Sequence, residues 1–232
     1  MFMSDLIHYS ETEQAITLRF DNGKVNVLSP AMIAAINEAL DRAEAAPFKA
    51  VIFTGREGML SGGYDLGVMQ EGGMSAVRDM VDAGSRLTRR MLAFPKPIIA
   101  ACNGHAIAKG AFLLLASDYR IGVEGAFKIS LNEVAIGLTM HHAGIELCRG
   151  RLAPVYFNRA MINAEVFSPA AAVEAGFLDK TVANEEALQQ EAAAMAQHMA
   201  TLNANAFAAT KVKARKQHLD ALDWAIEEDK NA

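Results

Sequence analysis

Two short apolar runs constrain the fold of this chain more than any other feature of its sequence. Residues 50–55 read AVIFTG and residues 98–102 read IIAAC, and neither run alternates apolar with polar residues as a half-exposed strand does. Unbroken apolar runs of this length are typical of strands buried on both faces, as in a parallel sheet. Because parallel strands need a crossover and helical patterns alternate with these runs, the sequence predicts an α/β fold.

The segments around these runs predict further elements. Ser29 and Pro30 form a helix start, with serine as the N-cap and proline at the first helical position, and this helix should end near Ala46. The other predicted elements are a strand over residues 15–20, a turn over residues 21–23, a glycine-rich segment over residues 58–73, a helix over residues 74–91, and a strand pair over residues 119–123 and 127–130.

The last third of the chain has a different character. Ser168 and Pro169 open a short helix that Gly176 closes, and the rest is alanine-rich with almost entirely helical patterns. Neither an internal repeat nor a low-complexity linker separates it from the rest. We therefore expect an α/β core over residues 1–165 and a helical C-terminal extension over residues 166–232, which packs on the core or on a neighbouring subunit.

Composition restricts the partners of the chain. It has 27 acidic and 22 basic residues, a net charge of −5, and so no general attraction to nucleic acid or to an anionic membrane surface. Any anionic ligand must then be held by a local cluster. Cys102 and Cys148 lie far apart among apolar residues, which argues against a disulfide and favours a reducing compartment. The start, MFMSDLIHYS, lacks the pattern of a signal peptide, so we expect a cytoplasmic location.

Two glycine-containing turns are candidate ligand sites. Residues 60–66 (LSGGYDL) contain a glycine pair that lets the backbone approach a ligand closely, although a flexible turn with Asp65 as N-cap is the alternative. Residues 103–110 (NGHAIAKG) join a buried strand to an apolar helix, so free amides and the positive end of the helix dipole meet there. The second turn suits an anion or a developing oxyanion, and it matches neither the P-loop nor the dinucleotide pattern.

A single carboxylate, Glu133, lies in an apolar segment, residues 130–138 (SLNEVAIGL). Removal from water would raise its pKa toward the range that suits a general acid or base. The alternative is a surface-facing residue of a half-exposed element, which is common for glutamate. The spacing alone leaves both interpretations open.

Six segments, in this order, carry a wider pattern: residues 24–28 (KVNVL), 61–66 (SGGYDL), 103–110 (NGHAIAKG), 117–121 (SDYRI), 132–137 (NEVAIG) and 172–179 (AVEAGFLD). Over nearly the whole chain the pattern resembles the crotonase superfamily of enoyl-CoA hydratases and isomerases. The resemblance implies a crotonase-like spiral of ββα units with a C-terminal helical extension. In these motifs the chain is most similar to the single-glutamate 3,2-trans-enoyl-CoA isomerases.

The resemblance also implies an oxyanion hole. Superfamily members hold the thioester carbonyl of an acyl-CoA between two backbone amides, which stabilise the enolate formed when the α-proton leaves. By position these amides belong to Tyr64 and Lys109, and each such donor is typically worth about 3–4 kcal/mol. Superfamily members nearly always have glycine where this chain has Lys109. A lysine amide still donates, while its Cβ crowds the site and its ammonium is expected to reach solvent or a phosphate.

Hydratases of the superfamily use two glutamates to place a water across the double bond. The first of these positions is Phe112 here, and the second is Glu133. One carboxylate and an oxyanion hole suffice to take a proton from C2 and return it at C4. The resemblance therefore implies an enzyme, a 3,2-enoyl-CoA isomerase, with Glu133 as the proton shuttle.

A histidine follows Glu133 where relatives place a functional aspartate. At this spacing, His141 resembles the site of that aspartate in dienoyl-CoA isomerases and aryl-CoA dehalogenases, which implies a second acid/base near neutral pH. A loop histidine without a role is the alternative. Phe112, Met69 and Met140 would line the pocket. Other functions left open are a hydratase or an acyl-CoA hydrolase that uses His141, and a non-catalytic CoA-binding homologue.

The resemblance places the CoA contacts in two regions. Lys24 lies where relatives contact the nucleotide part of CoA, flanked by Val25, Val27 and Leu28 against the adenine. Lys211 lies in a basic cluster on the last predicted helix, where relatives reach the CoA of a neighbouring subunit, although a solvated helical face is the alternative. We expect no cofactor apart from the CoA of the substrate, no metal, and a homotrimer or hexamer.

Overall fold

The computed structural model describes residues 6–231, apart from the side chain of Met69, whose predicted place in the pocket lies outside the described part. Its strands are β1 Ile7–Glu11, β2 Ala15–Phe20, β3 Ala50–Thr54, β4 Gly58–Ser61, β5 Ile98–Cys102, β6 Gly104–Ile107, β7 Tyr119–Val123, β8 Ile129–Ser130 and β9 Lys180–Val182. Its α-helices are α1 Pro30–Ala45, α2 Gly67–Ala93, α3 Lys109–Leu115, α4 His142–Arg151, α5 Phe157–Met161, α6 Pro169–Ala175, α7 Glu185–Ala200, α8 Ala204–Ala214 and α9 Lys216–Asn231.

The strands form two sheets. The larger sheet has the order β1-β2-β3-β5-β7-β9, and the smaller, parallel sheet has the order β4-β6-β8. In the larger sheet β1 and β2 run antiparallel and every other pair is parallel. The predicted α/β class is confirmed.

A ββα unit repeats along the chain. Strands β3 and β4 lead into α2, and strands β5 and β6 lead into α3; each time the first strand joins the larger sheet and the second the smaller. Strands β7 and β8 follow the same rule, so the predicted strand pair over residues 119–123 and 127–130 is divided between the sheets and does not pair with itself. The path is the spiral that the resemblance implies, and β8 is shorter than predicted.

The central strands are buried on both faces, as their apolar runs predict. In β3, Val51 and Phe53 belong to the main core, while Ile52 belongs to a second core beneath α7. Small residues of that helix, Ala192 and Ala196, are completely buried there, which lets α7 lie close to the sheet.

The helix boundaries follow the predicted signals. The Ser29 hydroxyl accepts from the Met32 amide at 3.2 Å, and α1 ends at Ala45. Gly176 closes α6 with a φ of 89°. Gly73 has φ 64° and ψ −165° and interrupts α2, so the helix predicted over residues 74–91 corresponds to the part after the break.

The C-terminal residues pack on the core of the same chain. Helix α7 covers the larger sheet, and α9 packs on α2 and α4. Strand β9 extends the larger sheet beside β7 and has no signal in the sequence, because three residues that include lysine and threonine are too few to show a period. Among the helices described, none is long and apolar enough to cross a membrane.

Candidate active site

The first turn of the site, after β4, is held by the segment that follows β2. The Gly62 amide donates to the Val25 carbonyl at 2.8 Å, and the Gly63 carbonyl accepts from the Leu28 amide at 2.8 Å. The buried Asn26 side chain donates to backbone carbonyls of both β2 and β4. The segment predicted to contact CoA therefore also fixes the conformation of this turn.

The turn predicted over residues 103–110 is shorter in the structure, because residues 104–107 form β6. What remains, Ala108 between β6 and α3, touches the first turn. Gly63 has a φ of 101°, and a Cβ there would lie 2.9 Å from the Cβ of Ala108 and 3.5 Å from the amide nitrogen of Lys109. Ala108 itself has φ 50° and ψ −119°, and its amide donates to the Ser130 carbonyl at 2.8 Å. Glycine is needed at position 63 because both its φ and the neighbouring turn exclude a side chain. Tyr64 and Lys109 follow directly in the two turns.

The amides of Tyr64 and Lys109 are unpaired within the described residues. Lys109 is the first residue of α3, where backbone amides have no acceptor inside the helix. Tyr64 bridges to Leu28 through the bonds of its two neighbours, so its own N–H takes no part in that pairing. Two free backbone donors on touching turns are what an oxyanion hole requires.

The Lys109 side chain turns inward. It is only 1% exposed, and Nζ donates to the Gly84 carbonyl at 2.6 Å and lies 3.3 Å from the Thr88 hydroxyl, both on α2. Burial lowers the pKa of Lys109 to about 7, although the charge of Glu133 opposes this. The prediction that this ammonium reaches solvent or a phosphate is wrong, because α2 offers buried acceptors within its reach.

Glu133 precedes a short 3₁₀ turn, Val134–Ile136, and turns its carboxyl inward. Its Oε2 is buried and has no hydrogen-bond partner in the described part of the chain. Burial raises the pKa of Glu133, and its own backbone amide and the charge of Lys109 oppose the rise. An unpartnered buried carboxyl with a raised pKa has the properties of a general base.

Apolar and aromatic groups surround these polar atoms. The rings of Tyr64 and Phe112 lie 5.6 and 5.7 Å from Lys109 Nζ, within cation–π range. Burial raises the pKa of Tyr64, and the charge of Glu133 adds to the rise. Met140 is almost fully buried, and a Cβ at Gly144 would contact Met140, Phe112 and His141, which shows that these three side chains meet.

His141 is mostly buried and serves as the N-cap of α4. Its Nδ1 accepts from the Gly144 amide at 2.9 Å, and its ring stacks edge-to-face with Phe112 at 5.6 Å. Asp229 Oδ2 is 3.6 Å from Nδ1, too far for a hydrogen bond, and the Asp229 carboxylate instead accepts from the His142 and Ala143 amides. Because Nδ1 is an acceptor, the neutral ring carries its proton on Nε2.

The remaining ring nitrogen of His141, Nε2, is buried without a partner among the described residues. Burial lowers the pKa of His141, Asp229 opposes the shift and Lys109 reinforces it, so the ring is neutral at pH 7. His141 therefore presents an unpaired N–H donor.

The predicted CoA contacts are placed unequally. Lys24 and Val25 are exposed beside the first turn, and Val27 is partly buried. Leu28 is 1% exposed and packs in the main core, so its side chain offers no surface to an adenine. The prediction that Leu28 flanks the adenine is therefore wrong, because its backbone bridges to Tyr64 and its side chain points into the core.

The prediction that Lys211 contacts CoA is also wrong. Its side chain is buried and its ammonium pairs with Asp118 Oδ2 at 2.6 Å, so it is neither a solvated residue nor a free charge for CoA. Burial lowers the pKa of Lys211 to about 8, and Asp118 opposes the shift. The pair fastens α8 to the residue before β7.

Sequence reasoning missed four residues that support the site: Asn26, Gly84, Thr88 and Asp229. Gly84 and Thr88 lie on a helix with no local motif, and Asp229 lies near the chain's end. Asn26 lies in the motif at residues 24–28, where an asparagine between two valines was the available signal for a buried polar side chain. Within residues 6–231, no group of three or more histidine, cysteine, aspartate or glutamate side chains could hold a metal ion.

Comparison with known proteins identifies the family. The enoyl-CoA hydratase/isomerase family model matches residues 11–232. The chain belongs to this enoyl-CoA hydratase/isomerase family. The predicted resemblance is confirmed, and the family is one of enzymes. The predicted substrate class, an acyl-CoA thioester, is consistent with membership of this family.

Solved structures of enoyl-CoA hydratase/isomerase family members share the fold. A family protein from Pseudomonas syringae is 56% identical with a TM-score of 0.96, and the match covers 99% of each chain. An enoyl-CoA hydratase from Mycobacterium ulcerans is 38% identical with a TM-score of 0.92, over 97% of this chain and 98% of that one. Human mitochondrial delta3-delta2-enoyl-CoA isomerase is 26% identical with a TM-score of 0.89, over 97% of this chain and 90% of that one.

Proposed function

We propose that the protein is a 3,2-enoyl-CoA isomerase, which shifts a double bond through a thioester enolate. The observation that carries the proposal is that, in the part of the chain that the structure describes, the site has one carboxyl, Glu133, and has Phe112 at the position of a second one. Glu133 has a buried carboxyl oxygen without a hydrogen-bond partner among the described residues. Phe112, at the position where hydratases have a second glutamate, is a fully buried phenyl ring. A phenyl ring can neither hold a water nor exchange a proton.

The proposed reaction uses one base twice. Glu133 removes a proton from C2 of a 3-enoyl-CoA, and the electrons move onto the thioester oxygen, which accepts hydrogen bonds from the Tyr64 and Lys109 amides. The same carboxyl then returns the proton at C4, and the double bond lies between C2 and C3. A raised pKa suits both steps, because the group must accept a proton and also release it.

Incubation of the purified protein with 3-enoyl-CoA and with 2-enoyl-CoA, followed by chromatography of the products, tests this proposal. We expect interconversion of the two substrates with little 3-hydroxyacyl-CoA. Replacing Glu133 with glutamine keeps the size and removes the base, so we expect kcat to fall by about 10²–10⁴-fold. Rapid hydration of 2-enoyl-CoA without isomerisation of 3-enoyl-CoA, or full activity of Glu133→Gln, would contradict the assignment.

One observation favours a second candidate, a hydration or hydrolysis in which His141 takes part. The unpaired Nε2 hydrogen could bind a water or donate a proton to the substrate. A His141→Ala variant should then lose hydration or hydrolysis and change the pH profile. An unchanged profile removes this candidate, and CoA binding without turnover of any acyl-CoA would favour a non-catalytic homologue.

We further propose that the exposed Lys24 and Val25 contact the nucleotide part of CoA, and that the chain forms a homotrimer or hexamer. Large exposed apolar side chains support the assembly, among them Val155, Ile162 and Val166. Light scattering after size-exclusion chromatography measures the assembly, and a monomer at micromolar concentration would contradict it.

A cytoplasmic location is proposed as well. Both cysteines are free and buried, and burial raises the pKa of each thiol, so neither depends on an oxidising compartment. Fractionation of cells that produce the protein tests the location, and recovery with the membrane or secreted fraction would contradict it.

A further inference from the structure

Lys109 carries a buried positive charge that the proposed reaction does not use. Its acceptors are the Gly84 carbonyl and the Thr88 hydroxyl, and no carboxylate in the described residues lies within ion-pair distance. Lys211 is buried to a similar degree but is paired directly with Asp118. An ammonium removed from water without a direct counter-ion costs stability, which its lowered pKa of about 7 reflects.

Gly84 is the point on α2 where the side chains of both oxyanion residues converge. The Lys109 ammonium binds the Gly84 carbonyl, and a Cβ on Gly84 would overlap the Tyr64 hydroxyl. Tyr64 and Lys109 also present the two free backbone amides. The side chains that follow the two turns therefore both contact the same residue of α2.

The ammonium also acts on the catalytic carboxyl. Burial raises the pKa of Glu133, and the charge of Lys109 opposes that rise, so it favours the ionised form that removes a proton. The other ionisable groups that interact with this cluster lie on four elements: Tyr64 on the first turn, Asp82 on α2, His141, His142 and Cys148 at and within α4, and Asp229 on α9.

We infer that Lys109 is a positioning residue of the site: its buried side chain, bound to the Gly84 carbonyl and the Thr88 hydroxyl, ties the turn that presents its own amide to α2. The inference rests on the proposed isomerase function for its kinetic consequence. It does not rest on that function for its effect on the Glu133 carboxyl in the free protein.

The test replaces Lys109 with methionine, which keeps the length and apolar stem of the side chain and removes the charge. The change leaves no buried polar atom newly unpaired, because the Gly84 carbonyl still accepts a helical bond and the Thr88 hydroxyl still donates to the Ser85 carbonyl at 2.9 Å. Lys128→Met, at an exposed lysine, is the matched control. Thr88→Val is a second variant, which removes one of the two acceptors of Nζ and leaves the Gly84 carbonyl.

We expect Lys109→Met to melt at the same temperature as the native protein or higher, yet to lose about tenfold or more in kcat with a smaller change in KM. The acidic limb of kcat/KM should move to higher pH. Thr88→Val should lower kcat less. In the free protein, ¹³C NMR of labelled glutamate carboxyls, with Glu133 assigned through Glu133→Gln, should show a higher pKa of Glu133 in Lys109→Met.

An unchanged kcat, pH profile and Glu133 titration in Lys109→Met overturns the inference. So does a loss of activity matched by a fall in melting temperature, because that marks a merely structural role. A shifted Glu133 titration in a protein that does not isomerise 3-enoyl-CoA rejects the proposed function and supports the inference. If the native protein isomerises 3-enoyl-CoA while Lys109→Met has an unshifted Glu133 titration and an unchanged kcat, the proposed function is supported and the inference is rejected.

Discussion

At the scale of residues, two buried lysines show how partners decide what a charge does. Lys211 faces a carboxylate at 2.6 Å, and burial lowers its pKa to about 8. Lys109 faces a carbonyl and a hydroxyl, and its pKa is lowered further, to about 7. Lys211 joins α8 to the residue before β7 through its ion pair with Asp118. Lys109 has no direct counter-ion among residues 6–231, and its charge acts on Glu133.

The lowered pKa of Lys109 predicts a pH-dependent effect on stability. In the unfolded chain a lysine has a pKa of about 10.4, so between that value and about 7 the folded state binds fewer protons than the unfolded state. The penalty of burying Lys109 is therefore complete below pH 7 and disappears as the pH rises toward 10. The stability gained by Lys109→Met should shrink over that interval in urea unfolding experiments.

Lys128→Met again serves as the control, because its exposed ammonium is not buried by folding. A difference between Lys109→Met and the native protein that stays constant from pH 7 to pH 10 would contradict the lowered pKa.

At the scale of elements, the site depends on the contact between the two turns. The Val25 carbonyl and the Leu28 amide hold the first turn by hydrogen bonds, and the Ser130 carbonyl holds the second. The glycine pair at residues 62 and 63 was visible in the sequence, as was a free helix N-terminus at Lys109. Their contact was not, because 44 residues, including the whole of α2, lie between Gly63 and Ala108.

Gly63→Ala tests that contact, with Gly23→Ala as the control. Both glycines have a φ above 100°, so each alanine meets backbone strain of about 1–2 kcal/mol. Only at Gly63 does the new Cβ also meet a neighbour, 2.9 Å away in the second turn, while nothing lies within 4 Å at Gly23. We expect a larger loss of stability for Gly63→Ala than for Gly23→Ala, and a loss of kcat in Gly63→Ala alone.

Kinetics and thermal unfolding of the two variants check this expectation. Equal kcat values in Gly23→Ala and Gly63→Ala would show that the turns do not need their present separation.

At the scale of the whole molecule, the C-terminal helices are joined to the sheet by a buried network around Asp118. Its carboxylate accepts from the Ile98 amide at 2.7 Å and pairs with Lys211 at 2.6 Å and with Arg215 at 2.9 Å. Helix α9 then reaches α4, where Asp229 caps the helix behind His141. The C-terminal helices thus support the site from a distance.

Asp118→Asn should destabilise the protein by about 3–5 kcal/mol, because two cations would then lie close together with no carboxylate. Asp220→Asn is the matched control, since Asp220 pairs with Lys216 in solvent and such pairs contribute about 0–1 kcal/mol. Urea unfolding of both variants measures the difference. Equal stabilities would contradict a structural role for the Asp118 network.

The sequence by itself determined the α/β class, the helix with its Ser29 cap, the doubly buried central strands and the family, because each depends on local periods or on contiguous motifs. It also identified Glu133 and the two turns. Only the tertiary structure decided that Lys109 and Lys211 turn inward, that Leu28 belongs to the core, that β9 extends the sheet, and that His141 presents an unpaired N–H. Each of these outcomes depends on partners from distant segments, which set burial and hydrogen bonding that no local pattern encodes.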